Sequence, residues 1–147
     1  MVSLKKQKGF TIVELLIVIV IIGILATLVI VTFSGIQQKA RDSQRKTDIN
    51  AVQSHVEAYY ASNGFYPTLT ELNDSTFRST NMKGLDPDAL ADPSNTSGSM
   101  AATATLKSAY GYAVTPAACD NTATPCDGYT LTAKLESSST DYVKQSN

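Results

Sequence analysis

Glu14 is the ionisable residue of this chain whose neighbours in the sequence most clearly indicate that its charge needs a partner. It is the one charged residue in an apolar run that covers residues 10–31. A charge at the centre of a bilayer costs about 2.5–3.5 kcal/mol on insertion scales, and such residues usually have partners. Glu14 lies near the start of the run, where the cost is smaller. The pattern therefore predicts that Glu14 meets a cation when this segment is buried.

Few other residues carry the groups that catalysis uses. The chain has one histidine, His55, and it has neither a glycine-rich phosphate loop nor a nucleophile beside a base. His55 flanks an apolar stripe and has no further ligands at helical spacing, so we interpret it as structural or solvent-facing. The sequence predicts a protein that is not an enzyme.

Cys119 and Cys126 are the only cysteines of the chain. Their C-x6-C spacing, with Pro116 and Pro125 close by, fits a small loop closed by a disulfide. Such a bond would contribute roughly 2–3 kcal/mol to stability. Two free thiols are the alternative. A redox site would need C-x-x-C, and zinc would need more ligands, so both are disfavoured.

Two ordinary interpretations compete for the apolar run of residues 10–31. A secretory signal peptide has a basic start and an apolar core of about 7–15 residues, which is shorter than this run. A single-pass anchor fits better, because 22 residues span about 33 Å as a helix and therefore cross a bilayer. Neither interpretation explains why Gly-Phe-Thr-x-x-Glu stands at residues 9–14.

That motif resembles the precursors of type IV pilins and type II secretion pseudopilins. Residues 5–19 read Lys-Lys-Gln-Lys-Gly-Phe-Thr-Ile-Val-Glu-Leu-Leu-Ile-Val-Ile. The resemblance covers roughly residues 1–62 and is most specific over residues 5–25. It implies a structural subunit of a filament.

The resemblance also implies how the chain matures. Prepilin peptidase would cut between Gly9 and Phe10 and methylate the new amine of Phe10. Lys5, Lys6 and Lys8 would hold the leader in the cytoplasm. Glu14 would neutralise the N-terminal amine of a neighbouring subunit, which makes it a device for registry between subunits.

The same resemblance predicts partners and location. The chain would wait as a single-pass protein of the inner or plasma membrane, with its C-terminal domain outside the cytoplasm. An inner-membrane assembly platform with a separate ATPase would then build it into a helical filament by self-association. The product would be an extracellular pilus or, alternatively, the periplasmic pseudopilus of a type II secretion system. A monomeric single-pass membrane protein is the third interpretation.

Net charge argues against a nucleic-acid partner. The chain carries a formal charge of −1, and loss of the three leader lysines makes the remainder more negative. Nucleic-acid binding needs a basic face, which this composition does not supply.

The apolar pattern continues beyond the run as a narrower stripe, which predicts an amphipathic helix continuous with the anchor. Its members are Phe33, Ile36, Ala40, Ile49, Val52, Val56, Tyr59 and Tyr60. Asn63-Gly64 is a natural helix stop. Asp42 and Lys46 stand four residues apart in the favourable order, which predicts an ion pair worth about 0.3 kcal/mol.

A polar region follows the helix and has the composition of a loop. Within it, Thr68 or Thr70 could cap a short turn that ends near Leu72. Asp86, Asp88 and Asp92 offer oxygen ligands for calcium. Major secretion pseudopilins use such a loop, but their motif continues through Trp-Gly-Asn-Pro, and this chain has Asp-Pro-Ser-Asn at 92–95. A solvated turn without a cofactor is therefore the favoured interpretation.

The last third alternates with period two, which predicts an antiparallel meander. The first strand carries Tyr110, Tyr112 and Val114, the second carries Tyr129, Leu131, Ala133 and Leu135, and Tyr142-Val143-Lys144 forms a short third strand. Two or three strands are not stable alone in water, so their apolar face must pack on the helix.

The predicted fold is α+β, a long N-terminal helix packed on a small antiparallel sheet of about three strands. The helix has a transmembrane half and an amphipathic half. The predicted segments are a leader (1–9), a transmembrane or filament-core helix (10–32), its amphipathic continuation (33–63), a variable loop region (64–107) and a sheet with the disulfide loop (108–147).

Overall fold

The computed structural model describes residues 9–95 and 98–146. The chain divides into two compact units, Met1–Gln37 and Gln38–Asn147. Helix α1 (Ile12–Asn63) contributes residues to both units. The leader lysines of the sequence prediction lie outside the described residues.

The first unit presents apolar side chains on every side of α1. Its large hydrophobic residues between Phe10 and Ile36 are 48% to 85% exposed, wherever their side chains are described. The helix is long and apolar enough to cross a membrane, with a mean hydropathy of 3.3 over its most apolar window. A helix that is hydrophobic all round requires cover from lipid or from other chains.

The second unit begins with an amphipathic stretch of α1. Ile49, Val52 and Val56 are fully buried and Tyr59 is nearly so, which confirms this half of the predicted stripe. Its other predicted members are exposed, namely Phe33, Ile36, Ala40 and Tyr60. The helix ends at Asn63, and Gly64 follows with φ of +80°. That left-handed conformation favours glycine, so the predicted stop is confirmed.

Two short helices follow α1. Helix α2 (Leu69–Asn73) starts with a capping box in which Thr68 and Glu71 satisfy each other's backbone N–H groups, and this confirms the predicted cap. Helix α3 (Ser75–Asn81) lies where composition had predicted a loop, so that prediction is wrong for these residues. The Asp74 carboxylate accepts hydrogen bonds from the first free N–H groups of α3.

The three strands form an antiparallel meander in the order β1, β2, β3, as predicted. Strand β1 is Gly111–Thr115, β2 is Gly128–Ala133 and β3 is Tyr142–Gln145. Tyr112 pairs with Leu131, and both side chains are fully buried. The sheet therefore turns one face toward the stripe of α1 and shares a single hydrophobic core with it.

Buried tyrosines fill much of this core and keep their hydroxyl groups bonded. The Tyr129 ring stands edge-on to Tyr66, with centroids 4.8 Å apart. Both hydroxyls donate to the Glu57 carboxylate of α1, at 2.6 Å from Tyr129 and 3.2 Å from Tyr66. The Tyr112 hydroxyl donates to the Pro67 carbonyl at 2.7 Å. The hydroxyl groups of these three tyrosines therefore have hydrogen-bond partners, as burial requires.

A disulfide between Cys119 and Cys126 closes the connection between β1 and β2. This loop holds the chain that follows α1 by two hydrogen bonds. The Tyr66 N–H donates to the Cys126 carbonyl at 2.8 Å, and the Asn121 amide donates to the Tyr66 carbonyl at 2.9 Å. The loop therefore fixes the path of the backbone between α1 and α2.

The backbone of Ala104, which precedes β1, passes very close to Gly111 at the start of that strand. A Cβ at Gly111 would stand 2.7 Å from the backbone nitrogen of Ala104, which cannot move cheaply. We expect Gly111→Ala to lower the free energy of unfolding by about 1–3 kcal/mol. Denaturant unfolding of the full chain in detergent micelles, followed by tyrosine circular dichroism, measures this.

Ala113→Ser is the matched control, because it also adds one heavy atom to β1 but on a side chain that faces solvent. Its unfolding midpoint should stay near that of the wild-type chain. Equal midpoints for the two variants would mean that the close approach at Gly111 is not a constraint.

Candidate functional site

The first candidate site is the start of α1, where Thr11 and Glu14 form a capping box. The Thr11 N–H and hydroxyl donate to Glu14 Oε2 at 2.9 and 2.7 Å. The Glu14 N–H donates in return to the Thr11 hydroxyl at 3.2 Å. This exchange satisfies the first free N–H groups of the helix, which begins at Ile12.

The residues on either side of the predicted cleavage point are accessible. Gly9 is exposed, and nothing stands within 4 Å of the place where a Cβ would lie. Phe10 is 84% exposed. Among the described residues, nothing covers the peptide bond between them.

Glu14 was predicted to meet a cation once this segment is buried, and that stays a prediction. In the single chain its carboxylate accepts hydrogen bonds from Thr11. Among the described residues, no basic group stands within ion-pair distance of its carboxylate. Sequence reasoning missed the role of Thr11, although Thr-x-x-Glu before an apolar run is the usual signature of a capping box. The carboxylate is thus held in place without being neutralised.

A second cluster of charge lies in the Gln38–Asn147 unit and centres on Arg45, whose side chain is completely buried. Its guanidinium donates to both oxygens of Asp92, at 2.7 and 2.9 Å. It also donates to Asp42 and Glu136, each at 2.8 Å, and to the Ser94 hydroxyl at 3.2 Å. The cluster joins α1 to residues 92–94 and to the chain just after β2.

Glu136 and Asp42 make further bonds at the edge of this cluster. Arg41 binds Glu136 through two parallel hydrogen bonds of 2.6 and 2.7 Å, and Lys107 stands 3.2 Å from the same carboxylate. Asp42 accepts hydrogen bonds from the backbone N–H groups of Glu136 and Ser137 at 2.8 Å. Charged groups on α1 therefore specify where the segment after β2 lies.

The predicted pair of Asp42 with Lys46 is wrong. Asp42 turns instead toward Arg45 and the chain after β2, because the buried cluster offers it several strong donors. The Lys46 ammonium lies 5.8 Å from the centroid of the Tyr142 ring. For Asp42, backbone N–H groups distant in sequence, those of Glu136 and Ser137, have replaced the expected local partner Lys46.

The three aspartates considered for calcium have different roles in the structure. Asp92 is bound by Arg45, and Asp86 accepts a hydrogen bond from the Asp88 N–H at the start of a 3₁₀-helix (Pro87–Leu90). Across residues 9–95 and 98–146, no group of three or more acidic, histidine or cysteine side chains is placed to hold a metal ion. The structure does not bring Asp86, Asp88 and Asp92 together as a ligand set.

The cluster keeps its carboxylates ionised. Hydrogen bonds from Arg41, opposed by burial and supported by Arg45 and Lys107, hold the pKa of Glu136 well below its ordinary value of 4.5. Burial alone would raise the pKa of Asp92, but hydrogen bonds from Arg45 and the Ser94 backbone lower it on balance. These charges are therefore part of the folded state near neutral pH.

The two sites differ in what they can do. The cluster around Arg45 is satisfied within the chain and joins segments of one unit. The segment from Gly9 to Glu14 has an exposed peptide bond, an apolar helix behind it and a carboxylate that meets no cation among the residues that the structure describes.

The N-terminal segment is of a known class. Residues 4–30 match the family described as the prokaryotic N-terminal methylation motif. The chain therefore carries the prepilin-type segment that type IV pilins and type II secretion pseudopilins share.

Curated relatives extend the match. The chain is 41% identical over 64 residues to the type II secretion system core protein G of Dickeya chrysanthemi, which covers 44% of this chain and 42% of that protein. It is 41% identical over 66 residues to the protein of the same name from Escherichia coli K12, and this covers 45% and 46% of the two chains. The Vibrio cholerae protein is 40% identical over 68 residues, or 46% and 47% of the two chains.

The similarity spans less than half of the length of each of these relatives. No solved structure gives a significant match to the chain.

Acid should destabilise the Gln38–Asn147 unit through the cluster. Because the pKa values of Glu136 and Asp92 are lowered in the folded state, the unfolded chain binds more protons in acid. We expect stability to be fully present above about pH 5 and to fall steadily as the pH drops toward about 2. Tyrosine circular dichroism of the full chain in micelles, recorded across this range, measures the profile.

Glu136→Gln should be less stable at neutral pH and should lose less stability in acid, because one of the titrating groups is gone. Asp127→Asn, which changes an exposed carboxylate outside the cluster, is its control and should keep the wild-type profile. An acid profile that Glu136→Gln leaves unchanged would contradict the assignment to this cluster.

Proposed function

We propose that this chain is a structural, non-enzymatic subunit of a type IV-like filament, assembled through its N-terminal helix. The observation that carries the proposal is the prepilin-type segment followed by a helix that is apolar on every side. A membrane covers such a surface before assembly, and other copies of the chain cover it afterwards. The chain is then anchored in the inner or plasma membrane with its C-terminal domain outside the cytoplasm.

In this proposal the leader, residues 1–9, is removed by prepilin peptidase. The cut falls between Gly9 and Phe10, where the backbone is accessible, and the same enzyme methylates the amine of Phe10. Glycine before the cut allows the peptidase to reach the carbonyl without meeting a side chain. Residues 10–32 then form the membrane span and the core of the filament.

Glu14 provides the registry between subunits. Its carboxylate bonds only to Thr11 among the described residues, so it retains the charge that a cation would neutralise. The amine of Phe10 in a neighbouring copy supplies that cation once both groups leave water. Either charge alone would be costly in an apolar filament core, whereas the pair is tolerated, so correct register is favoured over incorrect register.

The names of the relatives favour one version of this function. They are core proteins of type II secretion systems. A pseudopilin of a type II secretion system is therefore a specific candidate beside a surface pilin. In either version, an inner-membrane assembly platform with a separate ATPase extracts the subunit from the membrane.

Intact-mass analysis of filaments sheared from cells at native expression tests the proposal. Abundant chain that starts at methylated Phe10 would identify a surface pilin. The same processed chain found only in membranes, and cross-linked there to its own copies, would identify a pseudopilin. Only unprocessed or monomeric chain would exclude filament assembly.

Replacement of Gly9 by leucine should block maturation, because a branched side chain before the cut obstructs the peptidase. We expect the unprocessed mass to accumulate, with at least about a tenfold loss of cleaved chain, equivalent to roughly 1.4 kcal/mol of lost recognition. Gly35→Leu is the control, since Gly35 also has open space around it but lies far from the cut. Normal cleavage of Gly9→Leu would exclude this site.

Replacement of Glu14 by alanine should leave cleavage and membrane insertion intact and should strongly reduce filament yield, because the amine of the next subunit loses its partner. Thr27→Val is the control, since Thr27 also carries a polar group in the span but its hydroxyl donates to the Ile24 carbonyl of its own helix. Quantitative immunoblotting of sheared and cell-bound fractions measures the difference. Wild-type yield from Glu14→Ala would contradict the pairing of Glu14 with the amine.

A further inference from the structure

A groove lies within the Gln38–Asn147 unit, between α1 and the connection that precedes β1. Its volume is about 440 Å³, and ligand pockets usually measure about 300–1,000 Å³. One wall is the face of α1 that carries Ala40, Gln44 and Asp48, which are spaced four residues apart. The opposite wall includes Asp88. The groove is therefore large enough to hold a side chain or a small molecule.

The Asp48 carboxylate in this wall is buried without a cation beside it. The residue is 4% exposed. Its Oδ1 accepts a hydrogen bond from the Gln44 amide at 2.9 Å, and its Oδ2 accepts one from the Tyr110 hydroxyl at 2.8 Å. Both donors are neutral, and no basic group of the described residues lies within ion-pair distance. The carboxylate is thus positioned but not neutralised.

A carboxylate in this position is unfavourable for the folded state. Burial raises the pKa of Asp48, the hydrogen bonds from Tyr110 and Gln44 oppose this rise, and the charges of Asp86 and Asp92 add to it. A cation placed against Asp48 would offset these costs. A buried, perturbed acid in the wall of a cleft is a feature of binding sites, which gives the groove a physical reason to bind a cation.

The negative charge of the groove is not balanced by its own lining. Arg41 and Asp92 also line it, but each is already paired within the cluster around Arg45. Asp88 is exposed, and in the described part of the chain its carboxylate forms no ion pair. Asp48 and Asp88 therefore contribute two negative charges for which the described residues supply no cation.

We propose that this groove binds the side chain of a lysine from a second copy of the chain. A lysine combines an apolar stem with a compact ammonium group that has three donors. The apolar groups of Ala91 and Pro93 line the groove and would contact the stem. Each oxygen of Asp48 accepts only one hydrogen bond and has two lone pairs, so both can still accept from the ammonium group.

The chain itself offers lysines that lack an acidic partner. Lys39 and Lys83 are exposed, and neither lies within ion-pair distance of a carboxylate among the described residues. The choice of a second copy rests on the proposed function, in which copies meet in the membrane and in the filament. A lysine of one copy in the groove of the next joins two different surfaces, and contacts of this kind build helical filaments when they do not close into rings.

Titration of the full chain with n-butylammonium tests the groove without requiring assembly. The probe reproduces the end of a lysine side chain, and the isotope-labelled chain is held in micelles of an uncharged detergent. We expect the amide NMR signals of Gln44, Asp48 and Ala91 to shift and to saturate with a Kd of about 1–10 mM. Shifts of equal size with n-butanol, which has the same stem and no charge, would overturn the proposal.

Variants of the two carboxylates sharpen this titration. Asp48→Asn keeps the shape of the side chain and should raise the Kd at least about tenfold, because the ammonium group loses its charged acceptor. Asp88→Asn changes an exposed residue, so it retains the fold, and it should raise the Kd about threefold. Asp127→Asn removes an exposed carboxylate outside the groove and should leave the Kd unchanged. Wild-type affinity in both Asp48→Asn and Asp88→Asn would overturn the proposal.

Carbodiimide treatment of native membranes identifies the source of the ammonium group, because this reagent joins a carboxylate directly to an amine in contact with it. We expect dimer-sized chain in which Asp48 or Asp88 is linked to a lysine, and no such links when both are replaced by asparagine. Butylammonium binding without these links would overturn the assignment to a second copy. Processed chain that starts at Phe10 in the same membranes reports separately on the proposed function, so the two failures are distinguishable.

Discussion

The packing of the amphipathic part of α1 against the sheet is the contact on which the Gln38–Asn147 unit depends. Three short strands cannot form a stable sheet alone, and a helix with one apolar stripe is equally incomplete. Val52 and Val56 of the helix belong to the same buried hydrophobic cluster as Tyr112 and Leu131 of the sheet, so the two elements become stable together. The same packing also buries polar groups that flank the stripe, Arg45 among them, and each of these must then find a partner.

Within the Gln38–Asn147 unit the buried polar groups find such partners. The Glu14 carboxylate, outside that unit, meets no cation among the described residues. No buried side-chain nitrogen or oxygen among the described residues lacks a hydrogen-bond partner. A buried ion pair adds little net stability compared with an apolar core, but breaking it is costly, so the Arg45 cluster mainly specifies which segments meet. Glu14 is different, because its carboxylate is capped by Thr11 and has no cation within reach in the described part of the chain. One group completes a fold, and the other is available to a second molecule.

Sequence patterns predicted the elements that depend on local spacing and missed those that depend on contacts between distant residues. Periodicity and Asn63-Gly64 placed the end of α1 correctly, and alternation placed the strands. Helix α3 was missed because its composition is polar and its start depends on a cap from Asp74. The cluster was missed because Arg45 meets Glu136, 91 residues away, a pairing that no local pattern contains. The local rule that paired Asp42 with a residue one turn away failed for the same reason.

The disulfide loop makes one small region of the unit sensitive to redox conditions while the rest is protected. The ladder between β1 and β2 extends to the pair of Thr115 with Gly128, so the sheet does not need the bond between Cys119 and Cys126 to hold its register. Reduction would loosen the loop and weaken the two hydrogen bonds that its Cys126 and Asn121 make with the Tyr66 backbone. This would be a local opening of a few residues. The ladder between the strands and the bond between the cysteines are thus two separate constraints on the same connection, and only the second depends on an oxidant.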